Sequence, residues 1–231
     1  MERILIIGGV HGVEPQSAFV AENIAQHLEF QLVNKVATEN LFKIYQGEIK
    51  ESFLEGTPFG SENFVAKSMM IIPDFNRYGL ANNTRGNEHG VDLNRNLPAK
   101  NWSPNYTDRA YMPGGMPGSE DQTKALIKII KEDHFDLFIS IHTNHYVKHA
   151  NPPQVNYDGP LDSYGHEKAQ SLAELIELPL THDIGYSTPG SLGSYAKDLK
   201  IPCITLELDD RLSNDGSWAL YGFSLLRFFS K

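Results

Sequence analysis

Along the chain the apolar positions change period several times, and each change marks an element. Residues Arg3–Gly8 are a short isoleucine-rich run that reads as a strand. Phe19, Val20, Ile24 and Leu28 then recur at helical spacing, so a helix is expected from Pro15 to about Leu28. Pro15 suits its first position, where a missing N–H costs nothing. Phe30–Lys67 has a mixed pattern; it is expected to be partly helical and reads as an insertion. "SMMIIPDF" (68–75) reads as a strand ending at Pro73, followed by a loop rich in Asn, Gly and Arg from Asn76 to Pro98.

The second half is more regular. "GSEDQTKALIKIIKEDH" carries the marks of a helix, with Ser119 and Gln122 as a capping box and Leu126, Ile127 and Ile130 as its buried stripe. "FDLFISIH" (135–142) and "PCITLEL" (202–208) are apolar enough to be strands buried on both faces. Between them come a helix at about 163–177, a short strand, a Gly-rich turn and a helix at about 191–199. "SWALYGFSLLRFF" closes the chain as a helix. Strands alternating with helices define an α/β domain with a largely parallel sheet covered on both sides. Ligands of such sheets bind beyond the strand ends, and His11/Glu14, His142 and Glu207 each fall at or near one.

Composition narrows the function. With 231 residues and 40% hydrophobic content, one large domain over 1–231 is expected, without linker or repeat. The 29 acidic against 20 basic residues, a net charge of −9, would repel a phosphate backbone, so no nucleic-acid partner is expected. A single cysteine, Cys203, fits a reducing compartment. Neither a signal-peptide pattern nor a long apolar run is present, so no membrane span is expected and the cytoplasm is the expected location.

Several residues carry candidate chemistry. In "GGVHGVEP", His11 and Glu14 bring an imidazole and a carboxylate to one point on a tight turn, two of the three ligands a hydrolytic zinc site needs. A capped turn with Glu14 at a helix N-terminus is the plainer alternative. In "HGVDLNRNLP" (89–98), Asn94 and Arg95 form a polar fork able to hold a carboxylate, or a turn whose Asp92 and Asn94 satisfy local backbone. His142 in "SIHTNH" is a third ligand, a structural strand-end histidine, or part of a separate cluster with His145 and His149. Glu207, in an apolar strand, is either ion-paired or a poised general base. Tyr186, in the Gly/Pro-punctuated loop 185–195, either reaches a ligand with its hydroxyl or packs under the loop.

Taken in order, these motifs resemble the zinc carboxypeptidases: His-x-x-Glu, Asn-Arg within "GVDLNRN", a strand-end His, then a strand Glu. The resemblance spans residue 3 to about 210. Within that family the runs "GVDLNRNLPAKNW", "PGSEDQTKAL" and "GYSTPGSLGSYAKDL" are similar to the cytoplasmic branch that cuts murein peptides between γ-D-glutamate and meso-diaminopimelate. The resemblance implies a three-layer sandwich with a mixed, mostly parallel central sheet. It implies one Zn2+ per chain on His11, Glu14 and His142, with Glu207 as general base and acid. Asn94 and Arg95 would hold the free carboxylate of a small peptide, and Tyr186 would close on it. Arg85, or failing it Arg77, would polarise the scissile carbonyl, and Asp92 would orient a ligating histidine. Leu97 departs from the family, which places an aromatic there.

Two rival readings stand beside this one: an N-acyl amino acid deacylase like the aspartoacylases, which share His-x-x-Glu and Asn-Arg, and a non-catalytic peptide-binding relative. A serine hydrolase has no support, since no G-x-S-x-G occurs, and "HEKAQ" (166–170) lacks the second histidine of H-E-x-x-H.

Overall fold

The isoleucine run forms β1 (Glu2–Ile7), which sits inside one sheet and pairs in parallel with β4 (Lys67–Ile72) on one side and β5 (Leu137–Thr143) on the other. The computed structural model describes residues 1–33, 41–49, 66–144, 151–161 and 163–230. Beyond β5 lies β8 (Cys203–Leu208), parallel to it, then β6 (Gln154–Asp158), antiparallel to β8, and the two-residue β7 (Leu180–Thr181). On the other edge β3 (Tyr45–Ile49) and β2 (Gln31–Leu32) add antiparallel pairings. Among the described residues the order is therefore β2-β3-β4-β1-β5-β8-β6-β7, a mixed sheet with a parallel centre.

Helices cover both faces. The residues of one strand parity, Ile4, Ile6, Ile139, Ile141, Val155, Tyr157, Ile204 and Leu206, pack with α1 (Pro15–His27), α4 (Tyr164–Ile176) and α6 (Asn214–Phe229). The other parity, led by Leu5, Ile7, Met70, Ile72 and Phe138, packs with α3 (Asp121–Asp133) and α5 (Leu192–Leu199). Side chains alternate across a strand, so a period of two assigns each residue to one layer or the other.

Three sequence expectations need correction, and a fourth falls largely outside the described residues. The described parts of Phe30–Lys67 carry strands; residues 34–40 and 50–65, which make up most of the segment expected to be partly helical, lie outside the described ones. Edge strands are only half covered, which blurs the alternation that would betray them. The loop 76–98 contains α2 (Arg77–Asn82), whose N-terminus is held by the Asn76 side chain accepting from the Gly79 N–H at 2.9 Å, and a 3-10 turn at Leu93–Arg95. Strand β6 was not anticipated; its polar-apolar sequence "QVNYD" sits behind two prolines. Finally, Ser119 caps nothing. Its hydroxyl donates to Glu120 and accepts from Asn96, so α3 begins after Glu120 without a side-chain cap, and Ile129 replaces Ile127 in the fully buried stripe.

Candidate active site

The turn after β1 is built to be narrow. A Cβ on Gly12 would lie 1.8 Å from the Gly79 carbonyl carbon, so this turn and α2 meet backbone against backbone and only glycine fits. The Gly12 N–H donates to the Thr84 carbonyl at 2.9 Å, and the Asn76 amide donates to the carbonyls of Val10 and Arg85. Held this way, His11 and Glu14 face each other, buried, with His11 Nδ1 2.7 Å from Glu14 Oε1.

His142 arrives from β5 and places its Nδ1 3.0 Å from Glu14 Oε2. Among the described residues, His11, Glu14 and His142 form a group whose ligand atoms all lie within 4.8 Å of one another. The remaining ring nitrogens are already used: His11 Nε2 meets Asp92 Oδ1 at 3.0 Å, and His142 Nε2 meets the Ser140 hydroxyl at 2.9 Å. Both Nδ1 atoms are thereby turned toward the Glu14 carboxylate, the orientation that outer partners impose on metal-ligating histidines. Burial works against charge on Glu14, yet His11 and His142 hold its carboxyl well below the usual range. Asp92 behaves alike: burial is outweighed by Arg85 and His11, and it stays ionised. Residues 145–150, and with them the alternative His145/His149 cluster, lie outside the described residues.

Glu207 comes from the neighbouring strand, in direct register with His142. It is buried with no hydrogen bond or ion pair among the described residues, and burial pushes its carboxyl up to about 7 against the pull of His142. One row along the strands, Ser140, Thr205 and Asn156 stand side by side on the same face.

The two candidate arginines separate clearly. Arg85 lines the pocket, its Nε 2.9 Å from Asp92 Oδ2 and its Nη1 3.5 Å from Glu14 Oε1. Arg77 instead bonds Asp74 at 2.7 Å and does not line the pocket. Arg95 is buried and donates to the Asn94 carbonyl. Asn94 Oδ1 accepts from the Leu192 N–H at the start of α5, which leaves the amide NH2 unpartnered in the pocket. Tyr186 stands at the rim, half-exposed, its hydroxyl pushed up to about 12 by burial and by Glu207.

The pocket has a volume of about 740 Å³ and is lined by His11, Glu14, Arg85, Asn94, Arg95, His142, Tyr186 and Glu207, while Arg77 stays outside. Sequence reasoning missed Tyr111, whose ring carries the Arg85 guanidinium at 4.8 Å and that of Arg95 at 5.6 Å. It also missed Asn156 and Asp158 of β6, which the polar parity of "QVNYD" would have revealed had the strand been recognised.

The zinc carboxypeptidase family profile matches residues 74–223, and the chain belongs to that family. Murein peptide amidase A of Escherichia coli strain K12 is 35% identical over 177 residues, 71% of this chain and 66% of that protein. Its counterpart in Vibrio campbellii is 31% identical over 151 residues, 61% of this chain and 54% of that protein. The chain thus matches less than two thirds of either relative's length. The crystal structure of murein-tripeptide amidase from Escherichia coli O157 superposes on 98% of this chain and 81% of its own, with 27% identity and a TM-score of 0.64. Carboxypeptidase A from Helicoverpa armigera shares the fold at 15% identity and a TM-score of 0.67, covering 98% of this chain and 59% of its own.

The donor set fits the family's ion. Two neutral-capable imidazoles and one carboxylate, buried, convergent and oriented from behind, are the ligand types of a catalytic zinc site. No helix among the described residues is long and apolar enough to cross a membrane.

Proposed function

We propose that the chain is a zinc-dependent hydrolase that cuts the amide bond before a C-terminal amino acid bearing a free carboxylate, and that its substrate is the γ-D-glutamyl–meso-diaminopimelate bond of murein peptides. The observation that carries this reading is the meeting of three segments, far apart in sequence, at one buried His-Glu-His group beside an unpaired glutamate. The similarity to murein peptide amidase A supports the choice of bond.

His11, Glu14 and His142 would hold the ion, which when bound would supply Lewis acidity toward water and the scissile carbonyl. Glu207 takes a proton from the attacking water and returns it to the departing nitrogen; a carboxyl held up near neutrality suits both transfers. Asn94 and Arg95 bind the terminal carboxylate through the free amide NH2 and the guanidinium, which fixes the peptide's register. Arg85, pinned by Asp92, faces the oxyanion as it develops. Tyr186 closes over the bound residue from the rim. Action in the cytoplasm accords with a lone, buried cysteine, Cys203.

Zinc-loaded protein incubated with a γ-D-glutamyl-meso-diaminopimelyl peptide should release free diaminopimelate, detected by mass spectrometry. Amidating the terminal carboxylate should lower kcat/KM by tenfold to about a hundredfold, the worth of one charge-assisted contact. A protein with stoichiometric zinc that releases no diaminopimelate would end the reading.

A further inference from the structure

The segment that carries Asn94 and Arg95 is fastened to the start of α5 by an asparagine that does not itself line the pocket. Asn101 spans the two: its Oδ1 accepts from the Gly190 N–H at 3.1 Å, and its Nδ2 donates to the Ser194 hydroxyl at 2.9 Å. The Gly190 carbonyl in turn accepts from the Leu97 N–H at 3.0 Å. Gly190 has a φ of +69°, and a Cβ there would run into the Arg95 carbonyl oxygen, so glycine is what lets the turn sit this close. At the other end of α5 the Lys100 N–H, next to Asn101, donates to Asp198 Oδ2.

This clasp bears on Asn94 through one contact. Two residues beyond Gly190, the Leu192 N–H donates to Asn94 Oδ1 at 2.9 Å, and among the described residues it is the only hydrogen-bond partner of that side chain. A side-chain amide has a donor end and an acceptor end of nearly equal shape, whereas a carboxylate only accepts. While the Leu192 N–H occupies Oδ1, the NH2 is left for the pocket. With that N–H displaced, half a turn of the amide would set its oxygen against a substrate carboxylate, a repulsive pairing.

We infer that Asn101 is a positioning residue for carboxylate recognition: by clasping Gly190 and Ser194 it places the Leu192 N–H, and through it keeps the donor end of Asn94 toward the substrate. This rests on the proposed function, and it adds what sets the polarity of the Asn94 amide. The competing explanation is that Asn101 merely holds α5 to the rest of the domain. A purely structural clasp would act on every substrate alike and would act whether or not Asn94 is present.

The test is a cycle of zinc-loaded variants, Asn101→Ala, Asn94→Ala and the two combined. Each is assayed on the γ-D-glutamyl-meso-diaminopimelyl peptide with its terminal carboxyl group free or amidated. On the free acid Asn101→Ala should raise KM about three- to tenfold, the worth of one hydrogen bond, with kcat within about twofold of wild type. On the amide, which can pair with either end of Asn94, it should change KM by less than about twofold. In the Asn94→Ala background it should have no further effect, because residues that act as a unit are not additive. The unfolding midpoint should stay at the wild-type value, since the Asn101 side chain is exposed. A loss equal on acid and amide, or one that persists without Asn94, overturns the inference alone. Wild-type indifference to amidation overturns the proposed carboxylate site and the inference with it. If neither peptide is cut, the proposed function fails, and calorimetry with free meso-diaminopimelate decides Asn101 separately. Binding about three- to tenfold weaker in Asn101→Ala then sustains it, and equal binding overturns it.

Discussion

The two faces of β5, β8 and β6 are made from the same three strands and have opposite characters. On one face Ile139, Ile141, Val155, Tyr157, Ile204, Leu206 and Leu208 are buried under α1, α4 and α6. On the other, alternate positions carry Ser140, His142, Gln154, Asn156, Asp158, Thr205 and Glu207, and line an open pocket. Stability and chemistry are therefore interleaved residue by residue along each strand. The apolar face can bear the cost of the polar one because every buried apolar group contributes to folding, while Glu207 and Asp158 oppose it.

The sharpest way to test this division is to alter one face at a time. Glu207→Gln should lower kcat by about a thousandfold, within the range for losing a general base, while zinc content measured by metal analysis and the unfolding midpoint stay close to wild type. A folded, zinc-replete Glu207→Gln protein with normal turnover would show that the polar face does not divide as described. Its neighbour in sequence, Leu206, has the opposite role. Leu206→Ala should cost about 2–5 kcal/mol in denaturant unfolding, yet the molecules that remain folded should keep their kcat. A large loss of kcat at full folding would mean that the two faces are not separable. The smallest effect belongs to the pocket wall. Tyr111→Leu removes the ring shared by Arg85 and Arg95 and should raise KM about three- to tenfold with little change in kcat, in line with the modest energy of cation–π contacts. Unchanged steady-state constants would make the ring a bystander.

How much of this was readable in advance follows from the same interleaving. His11, Glu14, Asn94, Arg95, His142 and Glu207 stood out because polar groups next to glycines or inside apolar runs are anomalies that a one-dimensional pattern exposes. The parallel centre of the sheet was legible for the same reason, as continuous apolar runs. Strands β5 and β8 were read as buried on both faces, as they are, but the polar parity of one face went unremarked because Ser140 and Thr205 are small enough to pass unnoticed between isoleucines. Strand β6 was hidden by the reverse effect: its polar parity made it resemble a loop. Strands β2 and β3 gave little signal because both residues of β2 are exposed and β3 is mostly half-buried without clear alternation. Tyr111 lay beyond sequence reasoning altogether. Its position under two guanidiniums depends on the path of the chain from 96 to 113, where Asn96 donates to the Pro113 carbonyl. The Ser119 capping box failed because the helix starts one residue later, with Glu120 at its N-cap, and the Ser119 oxygen accepts from the Asn96 amide instead of a helix N–H.

The glycine-to-glycine abutment of residues 12 and 79 has a consequence for anyone rebuilding this protein. Since main chain presses on main chain there, the segment bearing His11 and the segment bearing Arg85 behave as one casting, not as two adjustable parts. Transplanting loop 76–86 from another member of the family would succeed only if residues 8–14 travelled with it. Even a single methyl at position 12 would shift an arginine that it never touches.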